Sequence, residues 1–424
     1  MKAGPSGRRV VVTGMGIASP LGVKLDDVAD SLRHGKSGIV FSETYASYSI
    51  KSQVVGKVKL TDEEIQEIVP REAARFMGRN GHFAFVALTN AIEDAGLRPE
   101  HYEHNPRCAS IIGQGGTSIN DVIESVSAVK EQSKTWHAKV GPYRVPRTMG
   151  STVSAVLSSW FKVQGPSFSI SSACSTGAHC IGVAMEQIML GKADMAFAGA
   201  GETECWEFTA MFDCMGALST KRNDDPAKAS RAFDQDRDGF VIAGGGGMLV
   251  LEDYEHAKAR GARIYAEVVG YAANADGYDV VAPSGVGGES CMKMALRMAN
   301  ATRRLPVDYI NTHGTSTPLG DPQELKAVKR VFADEDYVPW VGSTKSLSGH
   351  ALGAAGVHEA IYSLLMIDRG FLAESINIEN LVEEAEGMKI LTEGREQPVR
   401  RVMSNSFGFG GTNACLIFDK WVEE

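Results

Sequence analysis

Short apolar, β-branched runs alternate along the chain with longer stretches whose apolar residues recur every three or four positions. Arg9–Thr13 predicts a first strand, and His82–Gly96 a helix, with Phe83, Val86, Ala87 and Ala91 on one face and Gly96 as the stop. Ala109–Gly113 and Ser167–Ser171 predict strands. The second runs into a helix over 175–190, where Ala178, Ile181, Ala184, Met185, Ile188 and Met189 keep the helical period up to Gly191. Strands follow at Met195–Gly199 and Met248–Glu252. After Gly261 the plan starts again, with a strand at Ile264–Tyr271, a helix over 288–301, a strand at Tyr309–Thr312, a helix over 321–333, a strand over 340–344 and a helix over 351–367. Strands near 401–404 and 413–418 close the series. Alternating elements predict an α/β chain with a mostly parallel layered sheet. The restart near 260 predicts two duplicated halves, 8–258 and 259–424.

Composition narrows the class. The 424 residues carry 43 Lys+Arg against 52 Asp+Glu, a formal charge of −9. No basic block offsets that balance, so neither nucleic acid nor an anionic membrane is expected as a partner. The region after Met1–Arg9 is too short in apolar residues for a secretory segment, and Ala351–Ile367 carries His358 and Glu359, which excludes a membrane span. Seven cysteines form no CxxC pair, which reads as reduced thiols in a cytoplasmic protein. Glycine is the anomaly: 46 residues, about 11% against roughly 7% in ordinary proteins.

Several glycine and acidic motifs imitate binding loops. Gly14-x-Gly16 follows a strand, but the third glycine of a dinucleotide fingerprint falls on Ser19. Gly244–Gly247 lacks the GK[ST] ending of a phosphate loop, so close backbone packing explains it better. Asp234-x-Asp236-x-Asp238 has Gly245 where a calcium loop needs glutamate, and reads instead as a turn tied to Arg231 or Arg237. His101-x-x-His104 reads as solvated surface.

Reactive residues at element ends carry more. Cys174 ends a strand-to-helix turn among Ser171, Ser172, Ala173, Ser175, Thr176 and Gly177. A helix N-terminus stabilises an anion by about 0.3–1 kcal/mol, less than one pKa unit, so a basic partner is needed to activate the thiol. His313 follows the strand Tyr309–Thr312. Lys345 and His350 lie in a second strand-to-helix turn, and Asn405–Asn413 forms a Gly-rich segment with Phe407 and Phe409. That segment reads either as a plain hairpin or as a loop of backbone N–H donors with a movable aromatic.

Together the motifs SSACSTGAHC, NTHGTSTPLGD, STKSLSGHALGAAGVHEA and SNSFGFGGTN resemble those of the β-ketoacyl-acyl-carrier-protein synthases, over about Val10 to Phe418. Cys205-Trp206-Glu207 and the run from Asp213 to Gly247 resemble the bacterial type I members more than type II; a type II or polyketide ketosynthase of the same family is the alternative. The resemblance implies a thiolase-like fold, an α-β-α-β-α layered sandwich of two βαβ-type halves. It implies an acyltransferase that extends a fatty acyl chain by two carbons, with Cys174 as nucleophile and His313 and His350 donating hydrogen bonds. Lys345 supplies supporting charge with Glu324 as its partner. The backbone N–H groups of Cys174 and Phe409 form the oxyanion hole, and Phe409 gates the acyl pocket. Thr315, Thr317 and Phe407 contact the phosphopantetheine-borne substrate. No cofactor is implied, but Asn311, Glu324, Glu359 and Asn405 match a structural cation site.

The implied partners are acyl- and malonyl-loaded carrier protein and a second copy of the chain. Candidate docking residues for the acidic carrier are Arg71, Arg75, Lys130, Lys134, Lys139, Arg144 and Arg147. Two other functions compete. One is a thiolase or cysteine acyl hydrolase; a degradative thiolase would need a second cysteine as base near the C-terminus, and Cys415 lies in the strand Asn413–Phe418 rather than in a glycine loop. A non-catalytic partner would have no need of Cys174, His313 and His350. The glycines Gly177, Gly314, Gly349, Gly353, Gly356, Gly408, Gly410 and Gly411 all border the reactive residues and are expected to line the site.

Overall fold

The computed structural model describes residues 7–131 and 134–422. The first half contributes strands β1 (Val10–Ala18), β2 (Cys108–Gly113), β3 (Ser167–Phe168), β4 (Met195–Glu202) and β5 (Gly245–Asp253). The second contributes β6 (Ala266–Ala275), β7 (Tyr309–Asn311), β8 (Trp340–Gly342), β9 (Lys389–Ile390), β10 (Arg401–Gly408) and β11 (Thr412–Lys420). They are hydrogen-bonded in the order β9-β8-β7-β10-β11-β6-β1-β5-β4-β2-β3.

The duplication is written in the pairing. In the first half β1 is antiparallel to β5 and β5 to β4, whereas β4, β2 and β3 run parallel. In the second half β6 is antiparallel to β11 and β11 to β10, whereas β10, β7 and β8 run parallel. The halves meet at a short antiparallel seam, Val11 with Glu267 and Val12 with Ala266.

Helices repeat the same plan. Helices α1 (Arg79–Asp94) and α2 (Thr152–Trp160) belong to the first half, and α3 (Thr176–Met189) connects β3 to β4. Helices α4 (Val286–Thr302) and α5 (Gly320–Val331) belong to the second, where α6 (Ala355–Arg369) lies between β8 and β10. Strand residues alternate between layers, as the period of two requires. Ala196, Ala198 and Ala200 of β4 join the inner core with α3 and α6, whereas Met195 and Phe197 join an outer core with α1 and α2. Ala414, Leu416 and Phe418 of β11 face the inner core, and Cys415 and Ile417 pack outward with α4 and α5. Three cores between helix and sheet layers give the five-layered α-β-α-β-α sandwich.

The glycine motifs that imitate binding loops pack backbone against backbone. A Cβ on Gly16 would collide with the Ala87 carbonyl of α1, and one on Gly246 would lie 2.5 Å from the Phe83 carbonyl group. Asp234 accepts from Arg231 Nε at 2.9 Å inside the core, and His101 caps its own short helix through Arg98 N–H. Glycine is therefore spent on strand–helix contact as well as around the reactive residues.

Candidate active site

Between β3 and α3 the chain turns sharply. Ala173 sits at φ +50°, a left-handed conformation costing an L-residue about 1–2 kcal/mol. Local bonds hold it there. Ser172 N–H donates to Thr176 Oγ1 at 2.9 Å, and Thr176 Oγ1 donates to the Ala173 carbonyl at 2.8 Å. The turn presents Cys174, half-buried, at the mouth of α3. The backbone N–H groups of Phe409 and of Cys174 itself both face its sulfur.

The second half brings the histidines. His313 follows β7, and its N–H and that of Gly314 donate to the two oxygens of Glu324 at 2.9 and 2.8 Å. Asn405 Nδ2 donates to the same carboxylate at 3.1 Å, locking the turn. His350 is anchored by its N–H on the Val241 carbonyl at 2.7 Å. The two imidazole rings lie 5.2 Å apart at 85°, with Phe240 edge-on to His350 at 5.4 Å. One ligand-type atom from each of Cys174, His313 and His350 falls within 4.8 Å of the others. The cavity above them holds about 320 Å³ and is lined mainly by apolar side chains.

Burial acts oppositely on the two kinds of group. It pushes the Cys174 thiol up to about 12, against the pull of the Lys345 charge and the two N–H groups. It drives His313 and His350 well below their ordinary value, and Lys345 pushes both the same way. Both rings are therefore neutral near pH 7. Their Nδ1 atoms are buried without a partner, so the proton is cheaper on Nε2, where it leaves no orphaned donor.

The expected partner of Lys345 needs correction. Lys345, buried at 2% exposure, pairs with Glu359 of α6, because both project from the inner layer, while Glu324 is held by two backbone N–H groups and Asn405. Of the candidate cation ligands, Asn311 bonds Thr344, and Glu359 already has the Lys345 ammonium as counter-charge. Glu359 Oε2 and Asn405 Oδ1 remain acceptors without a donor, which a small cation would suit. Thr315 and Thr317 line the cavity with their hydroxyls 3.1 Å apart, as do Phe407 and Phe409. Cys415 lies in the outer core with Cys291, away from the three reactive groups.

Sequence reading missed the opposite wall. Phe212, Met215, Ala217 and Phe240 line the cavity from the long connection between β4 and β5, which has no periodic pattern to announce it. Phe212 packs on Phe409 with ring centres 6.3 Å apart.

A layered duplicated fold with a cysteine at one helix mouth and two histidines, one after β7 and one ahead of α6, defines the thiolase-like class of acyl-transfer proteins. The chain matches the beta-ketoacyl synthase N-terminal domain over residues 7–257 and the beta-ketoacyl synthase C-terminal domain over 265–379. It belongs to the beta-ketoacyl synthase family. It is 52% identical over 413 residues to 3-oxoacyl-[acyl-carrier-protein] synthase 1 of Escherichia coli, covering 97% of this chain and 99% of that protein. Identity to 3-oxoacyl-[acyl-carrier-protein] synthase 2 of Vibrio harveyi is 40% over 422 residues, covering 99% of this chain and 100% of that protein. A beta-ketoacyl synthase from Burkholderia phymatum superposes with a TM-score of 0.90 at 32% identity, covering 98% of this chain and 100% of that one. A type II PKS acyl-carrier protein in complex with its ketosynthase gives 0.84 at 29% identity, again covering 98% and 100%.

Proposed function

We propose that the protein catalyses the decarboxylative condensation of an acyl-enzyme with malonyl-carrier protein, lengthening a fatty acyl chain by two carbons. The observation that carries this reading is the convergence of Cys174, His313 and His350 within 4.8 Å, with two backbone N–H groups at the sulfur. Greater identity to synthase 1 than to synthase 2 favours the type I over the type II reading.

In the first half-reaction Cys174 Sγ bonds to the acyl carbon, the carrier thioester C–S bond breaks, and the thiol proton ends on the departing sulfur. The N–H groups of Cys174 and Phe409 hold the tetrahedral oxyanion. In the second, the malonyl C–C bond to the carboxylate breaks, CO2 leaves, and its electron pair forms an enolate. Neutral His313 and His350 donate N–H bonds to the enolate oxygen. The enolate carbon then attacks the acyl-Cys174 carbonyl; a C–C bond forms, the C–S bond breaks, and the thiolate takes a proton from solvent, one per turnover. Burial first, and the Lys345 charge second, keep both imidazoles uncharged. Thr315 and Thr317 hold the phosphopantetheine arm beside Phe407, Phe409 gates the acyl pocket, and no cofactor takes part.

Carrier protein and a second subunit complete the reading. A related ketosynthase is described in complex with its acyl-carrier protein. Arg71, Arg75, Lys130 and Lys134 are exposed, whereas Lys139, Arg144 and Arg147 are engaged by Glu131, Asp121 and Glu124. The first four are therefore the better docking candidates. The short edge strand β3, with Phe168 at 40% exposure, and the end of α2, with Trp160 at 39%, suit burial in a homodimer. No helix among the described residues is long and apolar enough to cross a membrane, in keeping with a cytoplasmic role. The half to residue 258 carries the nucleophile, and the half from 259 the histidines and lysine.

The test is incubation with acyl- and malonyl-carrier protein. Release of CO2 with a β-ketoacyl product is expected. No product from the wild type, or full activity in Cys174→Ala, would contradict the reading.

A further inference from the structure

Two carbonyls on opposite strands share one hydroxyl directly behind the nucleophile. Ser175 is completely buried, and its Oγ lies 2.9 Å from the Ser406 carbonyl and 2.8 Å from the Thr412 carbonyl. A serine hydroxyl has a single proton, so the two contacts form a three-centre bond. Ser406 is in β10 and Thr412 in β11, where Gly408 pairs with Thr412. The bond therefore spans the base of the hairpin whose tip carries Phe409, Gly410 and Gly411.

Two backbone bonds anchor the tip on its outer side, Gly410 N–H to the Val280 carbonyl at 2.6 Å and Asp276 N–H to the Gly411 carbonyl at 2.7 Å, and neither involves Phe409. Gly410 and Gly411 take φ +87° and +66°, and glycine is the residue least held by its own backbone preferences. Yet the Phe409 N–H must stay aimed at one point beside Sγ. Gly408 lies flat on the nucleophile turn, where a Cβ would stand 3.0 Å from the Ser172 carbonyl oxygen and 3.2 Å from Cys174 N. A second tie runs parallel to the first. Ser172 Oγ meets His179 Nδ1 at 2.7 Å, and the same ring hydrogen-bonds the backbone of Asn413 in β11.

We propose that Ser175 is a positioning residue for acyl transfer, its hydroxyl clamping the hairpin so that the Phe409 N–H stays registered with the Cys174 N–H as an oxyanion donor pair. The inference rests on the acyl-transfer step of the proposed function. It makes a separable prediction, because only steps that pass through a tetrahedral oxyanion at Cys174 use that pair. Alkylation of Cys174 by iodoacetamide displaces iodide at a saturated carbon and forms no such oxyanion. Malonyl decarboxylation draws on His313 and His350.

The experiment compares three rates in the wild type and Ser175→Ala: acylation of Cys174 by acyl-carrier protein, its alkylation by iodoacetamide, and CO2 release from malonyl-carrier protein. Loss of one oxyanion donor costs about 10²–10³ in rate, and a displaced one somewhat less, so acylation should fall about 10- to 100-fold. CO2 release should stay within about twofold of wild type, and alkylation, which the Phe409 N–H assists only by facing the thiolate, should fall clearly less than acylation. Unchanged acylation would overturn the clamp, and so would a parallel fall in all three rates, which marks mere structural support. If the wild type makes no β-ketoacyl product, the condensation reading falls on its own; the split between acylation and alkylation still decides the clamp.

Discussion

The two halves share one architecture and put different chemistry at equivalent places. Helix α3 joins two parallel strands of the first half, and its mouth holds Cys174; α6 takes the same place in the second half, and His350 lies just ahead of it. The chain leaves β2 through Gly113-Gln114-Gly115-Gly116, with no nucleophilic or titratable side chain, but leaves β7 through His313. The first half connects β4 to β5 by a long excursion that walls the cavity with Phe212, Met215 and Phe240. The second joins β10 to β11 by the tight turn carrying Phe409. Duplication supplies the frame, bringing two helix mouths together across an inner layer. Divergence gives a nucleophile with a wall to one half and hydrogen-bond donors to the other.

Burial sharpens the contrast, and pH tests it with the largest effect. The thiol is raised to about 12, so at pH 7 it is almost wholly protonated and gains reactivity as pH rises. Alkylation of Cys174 should increase about tenfold per pH unit from pH 7 to 10, roughly 1,000-fold in all. A plateau near pH 8 would mean that the thiol is not raised. The imidazoles, shifted downward, stay neutral throughout that range, so decarboxylation should not follow the same curve.

A second test attacks the frame itself. Gly177 and Gly356 occupy the second positions of α3 and α6 and pack reciprocally. A Cβ on Gly177 would lie 2.8 Å from Val357 N, and one on Gly356 would lie 2.7 Å from Ala178 N. Gly177→Val and Gly356→Val should each lower stability by about 1–3 kcal/mol in thermal or denaturant unfolding. Because the sites share one contact, the double variant should cost less than the sum. Additive losses would show that the helices do not meet there as a symmetric pair.

The smallest effect concerns the hairpin alone. Phe409→Ala removes the ring that packs on Phe212, and the preferred acyl length should shift, on the order of tenfold between chains differing by a few methylenes. Unchanged kinetics across acyl lengths would refute the gate.

Periodicity made much of this visible in advance. Helices predicted over 175–190, 288–301 and 321–333 match Thr176–Met189, Val286–Thr302 and Gly320–Val331 closely, because each has one apolar face. The helix predicted over 351–367 is present as Ala355–Arg369, entered directly from the 3-10 turn Leu352–Ala354. Lys345–Ser348 forms a separate short helix ahead of it, ended by Gly349 at φ +70°. The Gly-rich segment proved to be strand almost to its tip, since Ser404–Gly408 pair in register with β11 and local propensity yields to the ladder. The reactive residues were legible because each follows a strand. Their mutual arrangement was not: whether Lys345 meets Glu324 or Glu359 depends on which layer each side chain enters, and linear spacing does not encode that. The β4–β5 excursion was opaque for the same reason, being defined by the cavity it covers.

The division of labour between the halves is tested most directly by two variants and two assays. Cys174→Ala and His313→Ala are each measured for acyl-enzyme formation by intact mass and for CO2 release from malonyl-carrier protein. The account predicts a crossed result: Cys174→Ala forms no acyl-enzyme yet still releases CO2, and His313→Ala is acylated yet releases little. Loss of both activities in each variant would contradict it.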